Sequence, residues 1–521
     1  MAIRNLAPAQ GLVNMLHSSV PAIVTALTVL AVLTVAALAA PKANAPDIKL
    51  GETHSCYLDD LDENLRCGAI QVPENPNKPE GRKIAIHYAI LPAIKNGHEK
   101  QALLAIAGGP GQSAIEHAAG FNRMLTKVRQ NRDILLIDQR GTGQSNPLNC
   151  ENIGDIFAFD DEQVDFSAET KDCLDKITAD GTDVTQYGSV NALNDFEAVR
   201  RHLGYDKLHL YGISYGSRMA QLYMRHFPEP LLTVTLDGVV PMQQSVLAIG
   251  DAIERAQSLL LTECDATLSC QQAFPNLTDD FARLDAKLAQ GAIIEQSRDP
   301  LTNEVISFRL TRSKYLNSLR MAMYTPSLRA LLPHTIHQGA IGNYQPLLGL
   351  YGLTADSTGI ALGMHSSVVC GEDLHRVTET MRQSAKDSYS SRTMLEGLEA
   401  GCSVWQMPTE PEDFSQAIDS DIPTLLLSGE LDPATPPSWG TLAQEKLSNS
   451  QHFVAPYATH GVAYQSCAND LIAKLVSTGS VKEINGECLN KDVRRSFYLN
   501  ANTVEPVTQV SSATDTSKDE E

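Results

Sequence analysis

A serine hydroxyl becomes a useful nucleophile only when a nearby base can take its proton and nearby N–H groups can hold the charge its attack creates. Gly212-Ile213-Ser214-Tyr215-Gly216 places such a serine between two glycines. The preceding Leu208-His209-Leu210-Tyr211 reads as a short buried strand, and Ser217 to His226 reads as a helix. On so sharp a strand-to-helix turn the hydroxyl projects from the backbone, and a side chain at Gly212 or Gly216 would strike adjacent main chain. The Tyr215 amide then lies at a helix start, where it can stabilise an oxyanion. Upstream, Ala107-Gly108-Gly109-Pro110-Gly111-Gln112-Ser113 follows the apolar run Leu103 to Ile106, and its main chain offers a second donor, assigned to Gly109.

The base must be a residue that is neutral near pH 7, and histidine fits. Of the 14 histidines, His460 stands out. Tyr457-Ala458-Thr459-His460-Gly461 forms a loop after the expected strand His452-Phe453-Val454, close to the end of the fold. Earlier, the apolar run Leu425 to Leu427 leads into Gly429-Glu430-Leu431-Asp432-Pro433. Asp432 just past a buried strand can accept the imidazole N–H and fix the tautomer that leaves the other nitrogen facing the serine. Glu430 is the nearest alternative acid. The chain order Ser214, Asp432, His460 is that of the α/β-hydrolase fold.

The elements that must hold these groups follow the same pattern. Ile84, Ile86, Tyr88 and Ile90 alternate at strand period, whereas Leu103 to Ile106, Ile134 to Ile137, Val234 to Leu236 and Thr424 to Leu427 are continuously apolar, as buried parallel strands are. Leu193, Phe196, Val199 and Leu203 have helical spacing, and Gly204 is a fitting stop. This alternation predicts a mostly parallel sheet flanked by helices. After Val240 the rhythm breaks into helical patterns such as Ile253 to Leu261 and Tyr315 to Tyr324, which read as a large helical cap inserted on the sheet. The expected organisation is an export signal over 1–39, a first part of the core over 40–240, the cap over 241–411, a second part of the core over 412–500, and a disordered polar tail over 501–521. Asp138-Gln139-Arg140-Gly141 is expected to shape the loop beneath the oxyanion site through an internal charge pair.

The 521 residues, 43% of them hydrophobic and 20% charged, are enough to bury a large core. A formal charge of −21 opposes binding to nucleic acid or to anionic lipid. Arg4 is the one charged residue before the apolar run Val20 to Ala40, and Ala37-Leu38-Ala39 offers a small-x-small cleavage site. Export to a periplasmic or extracellular space is expected, with an uncleaved anchor as the alternative. Ten cysteines, all beyond this segment, fit an oxidising compartment. Their simplest pairing couples sequence neighbours: Cys56 with Cys67, Cys150 with Cys173, Cys264 with Cys270, Cys370 with Cys402, and Cys467 with Cys488. With no Cys/His cluster at zinc spacing, neither a metal nor a cofactor is expected.

Gly108-Gly109-Pro110-Gly111, Asp138-Gln139-Arg140-Gly141-Thr142-Gly143-Gln144-Ser145, the segment around Ser214, Asp432-Pro433-Ala434-Thr435-Pro436 and His460-Gly461 together resemble the prolyl aminopeptidase and tripeptidyl aminopeptidase group of α/β-hydrolases. The exported tripeptidyl branch, with its helical cap and Cys-rich C-terminal part, is the closer likeness. The resemblance implies removal of residues from peptide N-termini through an acyl-enzyme, with Ser214 as nucleophile, Asp432 as acid and His460 as base. Many members have His where this chain has Ala107, so help from that side chain is absent. An enzyme that counts from a free N-terminus must recognise an ammonium group. Glu372 and Asp373, in a Cys-then-acid segment similar to one in the family, are the expected anchors, unless they serve only to cap the helix near Leu374. A carboxylesterase on the same three residues is the competing function.

Overall fold

A computed structural model describes residues 52–95, 97–150, 155–300, 302–355 and 359–506. The expected export signal and cleavage site lie outside the described residues.

The continuously apolar runs are the inner strands of a nine-stranded sheet. In chain order its first seven strands are β1 (His54–Cys56), β2 (Leu65–Pro73), β3 (Lys83–Leu91), β4 (Gln101–Ile106), β5 (Asp133–Ile137), β6 (Lys207–Ile213) and β7 (Leu231–Asp237). A separate two-stranded hairpin, β8 (Ile293–Arg298) with β9 (Val305–Leu310), intervenes before β10 (Thr424–Gly429) and β11 (Ser450–Ala455) complete the sheet. The spatial order is β1-β2-β3-β5-β4-β6-β7-β10-β11. Strands from β5 to β11 in that order pair in parallel, while β1, β2 and β3 form an antiparallel edge. This is the α/β-hydrolase architecture, a mostly parallel sheet flanked by helices.

Helices cover both faces, which is why the inner strands are apolar on both sides. Helices Ser189–Leu203 and Tyr215–His226 bury Leu193, Phe196, Val199, Met219 and Leu222 against one face. Helix Ala468–Thr478 buries Leu471, Ile472 and Leu475 against the other. Gly204 ends its helix in the left-handed conformation (φ 72°), as the sequence suggests.

Residues between β7 and β10 are largely helical, and Ile253, Leu260, Leu284, Phe308, Tyr315 and Leu319 build a core of their own there. The β8–β9 hairpin departs from the expected helical pattern. Only Phe308 and Leu310 of its residues are buried, so one thin apolar stripe carries the pairing and gives little alternation to read. The expected tail also needs correction. Asn500 and Thr503 pair β12 (Tyr498–Asn500) with β13 (Thr503–Val504). Buried Glu505 accepts the Phe497 N–H at 2.8 Å and an Arg494 N–H at 2.6 Å, and Phe497 is buried in the helical core. A carboxylate with partners at both ends orders residues 501–506 despite their polar composition; residues 507–521 lie outside the described residues.

A buried ion pair joins the two layers. Arg218, on the helix after β6, meets Asp373 at 2.8 Å with both side chains fully buried. Arg218 also donates to Gln244 O, and Asp373 accepts the Val246 N–H at 2.9 Å. All ten cysteines form the five sequence-neighbour disulfides expected, Cys56–Cys67, Cys150–Cys173, Cys264–Cys270, Cys370–Cys402 and Cys467–Cys488.

The Cys370–Cys402 bridge spans 32 residues and pins the turn that carries Asp373. Replacing both cysteines with serine is expected to destabilise the fold by about 3–4 kcal/mol, the chain-entropy value for a loop of that length. Chemical unfolding of the pure variant checks this, and an unchanged midpoint would contradict it.

Candidate active site

The candidate residues gather at the C-terminal ends of the parallel strands, where loops are free to present side chains while the sheet fixes their origins. Ser214 follows β6 directly and has φ 56° and ψ −128°, a conformation strained for a residue with a side chain. Flanking contacts enforce it. A Cβ at Gly212 would run into the Gly216 carbonyl, and one at Gly216 would run into the carbonyl of Ile106. The Ser214 N–H donates to Asp237 O at 2.9 Å, and its carbonyl accepts the Ser217 hydroxyl at 2.6 Å.

Asp432 lies three residues past β10 and is fully buried. Its Oδ1 accepts the N–H groups of Ala434 and Thr435 at 2.7 and 2.9 Å. Its Oδ2 accepts the Thr435 hydroxyl at 2.7 Å and meets His460 Nδ1 at 2.9 Å. Burial pushes the Asp432 carboxyl up, but His460 and the Thr435 bonds outweigh it and hold the group below the usual carboxylate range. Burial likewise pushes His460 down, yet the Asp432 charge and hydrogen bond, helped by Asp237, leave it above an ordinary histidine. The bond from Nδ1–H to Asp432 fixes the tautomer with Nε2 unprotonated in the neutral ring. Glu430, the other acid on this loop, is turned outward and pairs with Arg255.

Ser214 and His460 line one cavity of about 420 Å³. Gly109 and Tyr215 line it as well. Tyr215 is the first residue of its helix, so its N–H has no intrahelical acceptor. No hydrogen bond joins Ser214 to His460 among the described residues, and such contacts often close only when substrate is bound. Most of the remaining wall is apolar and includes Val240, Val246, Ile249, Met321, Leu328 and Trp439. Tyr324 stacks edge-on against the His460 ring at 5.1 Å.

Asp237, at the end of β7, escapes a reading of the sequence that ends the strand at Leu236. It is fully buried, accepts the Tyr211 hydroxyl at 2.8 Å, and accepts the N–H groups of Val462 and Ala463 at 2.8 and 2.9 Å. It thereby anchors the loop that carries His460 to the strand beside β6. Gln465 closes the loop from the other side, with its amide donating to His460 O at 2.8 Å. An acid followed by glycine at the end of an apolar run was the available signal for Asp237.

Two expectations are overturned. Asp138 and Arg140 do not pair with each other. Asp138 accepts the Ser113 hydroxyl at 2.6 Å and the Ile115 N–H at 3.1 Å, holding the end of the glycine-rich loop, and burial pushes its carboxyl up to about 6. Arg140 forks instead onto Asp195 at 2.7 and 2.8 Å. Each side chain is satisfied by a different element, Asp138 by the glycine-rich loop and Arg140 by the helix that carries Asp195, which keeps the two charges apart. Second, Glu372 and Asp373 do not line the cavity. Asp373 is committed to Arg218 and Val246, and Glu372 accepts both the N–H and the hydroxyl of Ser189 at 2.8 Å. Their carboxylates hold the fold together behind the Tyr215 side chain, whose hydroxyl shares Ser189 at 2.6 Å. Among the described residues, no carboxylate lines the cavity that holds Ser214, and no group of three or more His, Cys, Asp or Glu is placed to hold a metal ion.

The sequence is similar to those of known proteins. Residues 101–296 match the family model for the alpha/beta hydrolase fold, and residues 387–488 match that for TAP-like protein. The serine protease Hip1 of Mycobacterium tuberculosis is 27% identical over 470 residues, covering 81% of this chain and 87% of that protein. The putative hydrolase YuaR of Escherichia coli is 34% identical over 34% of this chain and 36% of its own. The tripeptidyl aminopeptidase of Streptomyces lividans is 26% identical over 39% of this chain and 40% of its own.

Two pH effects follow. As the expected base, His460 must be neutral to accept a proton, so activity is predicted to be lost as the pH falls through its raised pKa. The acid limb of kcat/KM is expected above about 6.5, the ordinary histidine value, and a limb below it would contradict the Asp432 contact. Burial pushes the Glu372 carboxyl up to about 7, against the Ser189 bonds and Arg218. A raised carboxyl contributes stability that is complete below the unfolded-chain value and is lost as the pH rises through about 7. Relative to the native chain, Glu372→Gln should therefore gain thermal stability between pH 5 and pH 8. A difference in melting temperature that does not change with pH would contradict this.

Proposed function

Since the chain is an α/β-hydrolase with a TAP-like C-terminal region, we propose that it is an exported serine aminopeptidase of prolyl or tripeptidyl aminopeptidase type. It is a serine hydrolase whose relatives are serine proteases and peptidases. The observation that carries the reading is the Asp432–His460 hydrogen bond at the wall of a cavity shared with Ser214.

In the proposed reaction His460 Nε2 takes the Ser214 proton as Oγ attacks the carbonyl carbon of the scissile bond. The carbonyl oxygen becomes an oxyanion facing the N–H groups of Tyr215 and Gly109. Collapse of the intermediate breaks the C–N bond, the leaving amine takes the proton from His460, and an ester to Ser214 remains. Water then repeats the sequence and frees the N-terminal fragment as an acid. Asp432 keeps its proton count throughout and stabilises the imidazolium.

The N-terminal part of the proposal needs a place for an ammonium group. A second pocket of about 610 Å³ shares Arg320 with the catalytic cavity, and Asp161, Glu162, Asp165 and Glu396 are part of its lining. An ammonium group held there would lie beyond the cavity of Ser214, which favours release of a short peptide over a single residue. Export is supported by the five disulfides, which persist in oxidising compartments. One observation favours a carboxylesterase instead, namely the largely apolar lining of the Ser214 cavity.

Tripeptidyl and aminoacyl p-nitroanilides, each free and N-acetylated, together with a p-nitrophenyl ester, separate the two readings. The aminopeptidase is expected to cleave free-amine amides with kcat/KM at least about tenfold above their acetylated forms, as for a lost charged hydrogen bond, and Ser214→Ala should abolish all turnover. Equal cleavage of free and acetylated amides, or turnover of the ester alone, would contradict it.

A further inference from the structure

Arg320 belongs to helix Arg312–Ala322 and reaches the wall of the cavity that holds Ser214 and His460. Its neighbours on the same helix are committed elsewhere. Arg312 pairs with Asp285 at 2.6 Å, and Lys314 donates to the Phe157 and Phe159 carbonyls. Arg320 forms no ion pair among the described residues, and its Nε is buried without a hydrogen-bond partner. Among the described residues no carboxylate lines this cavity with it, and the acids Asp161, Glu162, Asp165 and Glu396 line the neighbouring pocket without an ion pair to it. The nearby histidine bears its charge as a cost. His365, whose Nδ1 donates to Pro110 O at 3.1 Å in the glycine-rich loop, is pushed down in pKa first by burial and also by Arg320.

Arg320 is half-buried where this cavity meets the acid-lined pocket, and a guanidinium there with no ion pair and with Nε buried and unbonded gains little from the protein around it. The same features make a good recognition element for a planar anion, which takes two parallel N–H bonds from the fork. We propose that Arg320 is a specificity-determining residue that binds a carboxylate on the substrate of the Ser214 site. The inference rests on the hydrolase reading of that site. The carboxylate has two possible sources, an acidic side chain near the scissile bond or the free C-terminus of a short peptide.

The closing experiment compares kcat/KM in matched pairs. Peptidyl p-nitroanilides carrying Glu or Gln at each position test the side-chain source, and short peptides with a free or amidated C-terminus test the terminal source. The mono-p-nitrophenyl ester of glutaric acid against p-nitrophenyl pentanoate tests the carboxylate on an activated ester. The native enzyme is expected to favour the carboxylate member of at least one pair by about 10- to 100-fold, the range for a hydrogen bond to a charged group. In Arg320→Gln that ratio should fall to about 1, with Arg320→Lys between them because it keeps the charge and loses the fork. Fluorophosphonate titration of Ser214 in each variant confirms an assembled site. If every native ratio is near 1, or if Arg320→Gln lowers both members of a pair equally, the proposal is overturned. Because the ester pair needs no amide cleavage, failure of the peptidase reading would leave this test intact, and the two failures remain distinguishable.

Discussion

Asp432 is a charge with no access to water, and the rest of the site is arranged around keeping it there. An ionised carboxylate in a protein interior is costly unless its oxygens are filled. Here two backbone N–H groups and one hydroxyl from the turn Ala434–Thr435 fill all but one position, and the last goes to His460. The turn makes the carboxylate tolerable, and the histidine makes it useful. Because the turn comes from the end of β10 and the histidine from the loop after β11, parallel pairing of the two strands, Gly429 opposite Ala455, sets the distance between them.

A second buried acid extends the same logic to the nucleophile. Asp237 binds the loop after His460 through two N–H groups, and its own carbonyl accepts the Ser214 N–H. One residue at the end of β7 thus touches both the Ser214 turn and the loop that carries His460. The helical layer is tied in by a buried ion pair, Arg218 with Asp373, and by the Thr459 hydroxyl donating to Tyr324 O at 2.7 Å. Buried ion pairs contribute little net stability when compared with apolar packing, and their attested use is to specify one arrangement over others. In this chain the Arg218–Asp373 pair joins the helix that follows Ser214 to the segment that carries Asp373.

Much of this was legible in the sequence where one physical requirement dominates. The inner strands are apolar because they are buried on both faces, and Gly212 and Gly216 are required by contacts within a few residues of Ser214. Sequence-local disulfides were likewise readable. Asp138, Arg140, Glu372 and Asp373 were not, because an acid's role depends on which element lies across from it. Asp138 reaches Ser113, Arg140 reaches Asp195 and Asp373 reaches Arg218, all partners far along the chain. The β8–β9 hairpin and the short β12–β13 pair were hidden because few of their residues are buried, so no alternation marks them.

The central claim is that Asp432 holds the His460 tautomer that activates Ser214. The most direct measurement is the second-order rate of covalent capture of Ser214 by a fluorophosphonate, in the native chain and in Asp432→Asn. The account predicts labelling of Ser214 in both, slowed in the variant by about 10⁴-fold, the loss produced when an asparagine imposes the wrong tautomer in a serine protease triad. Capture of Asp432→Asn at the native rate, or labelling at another serine, would contradict it.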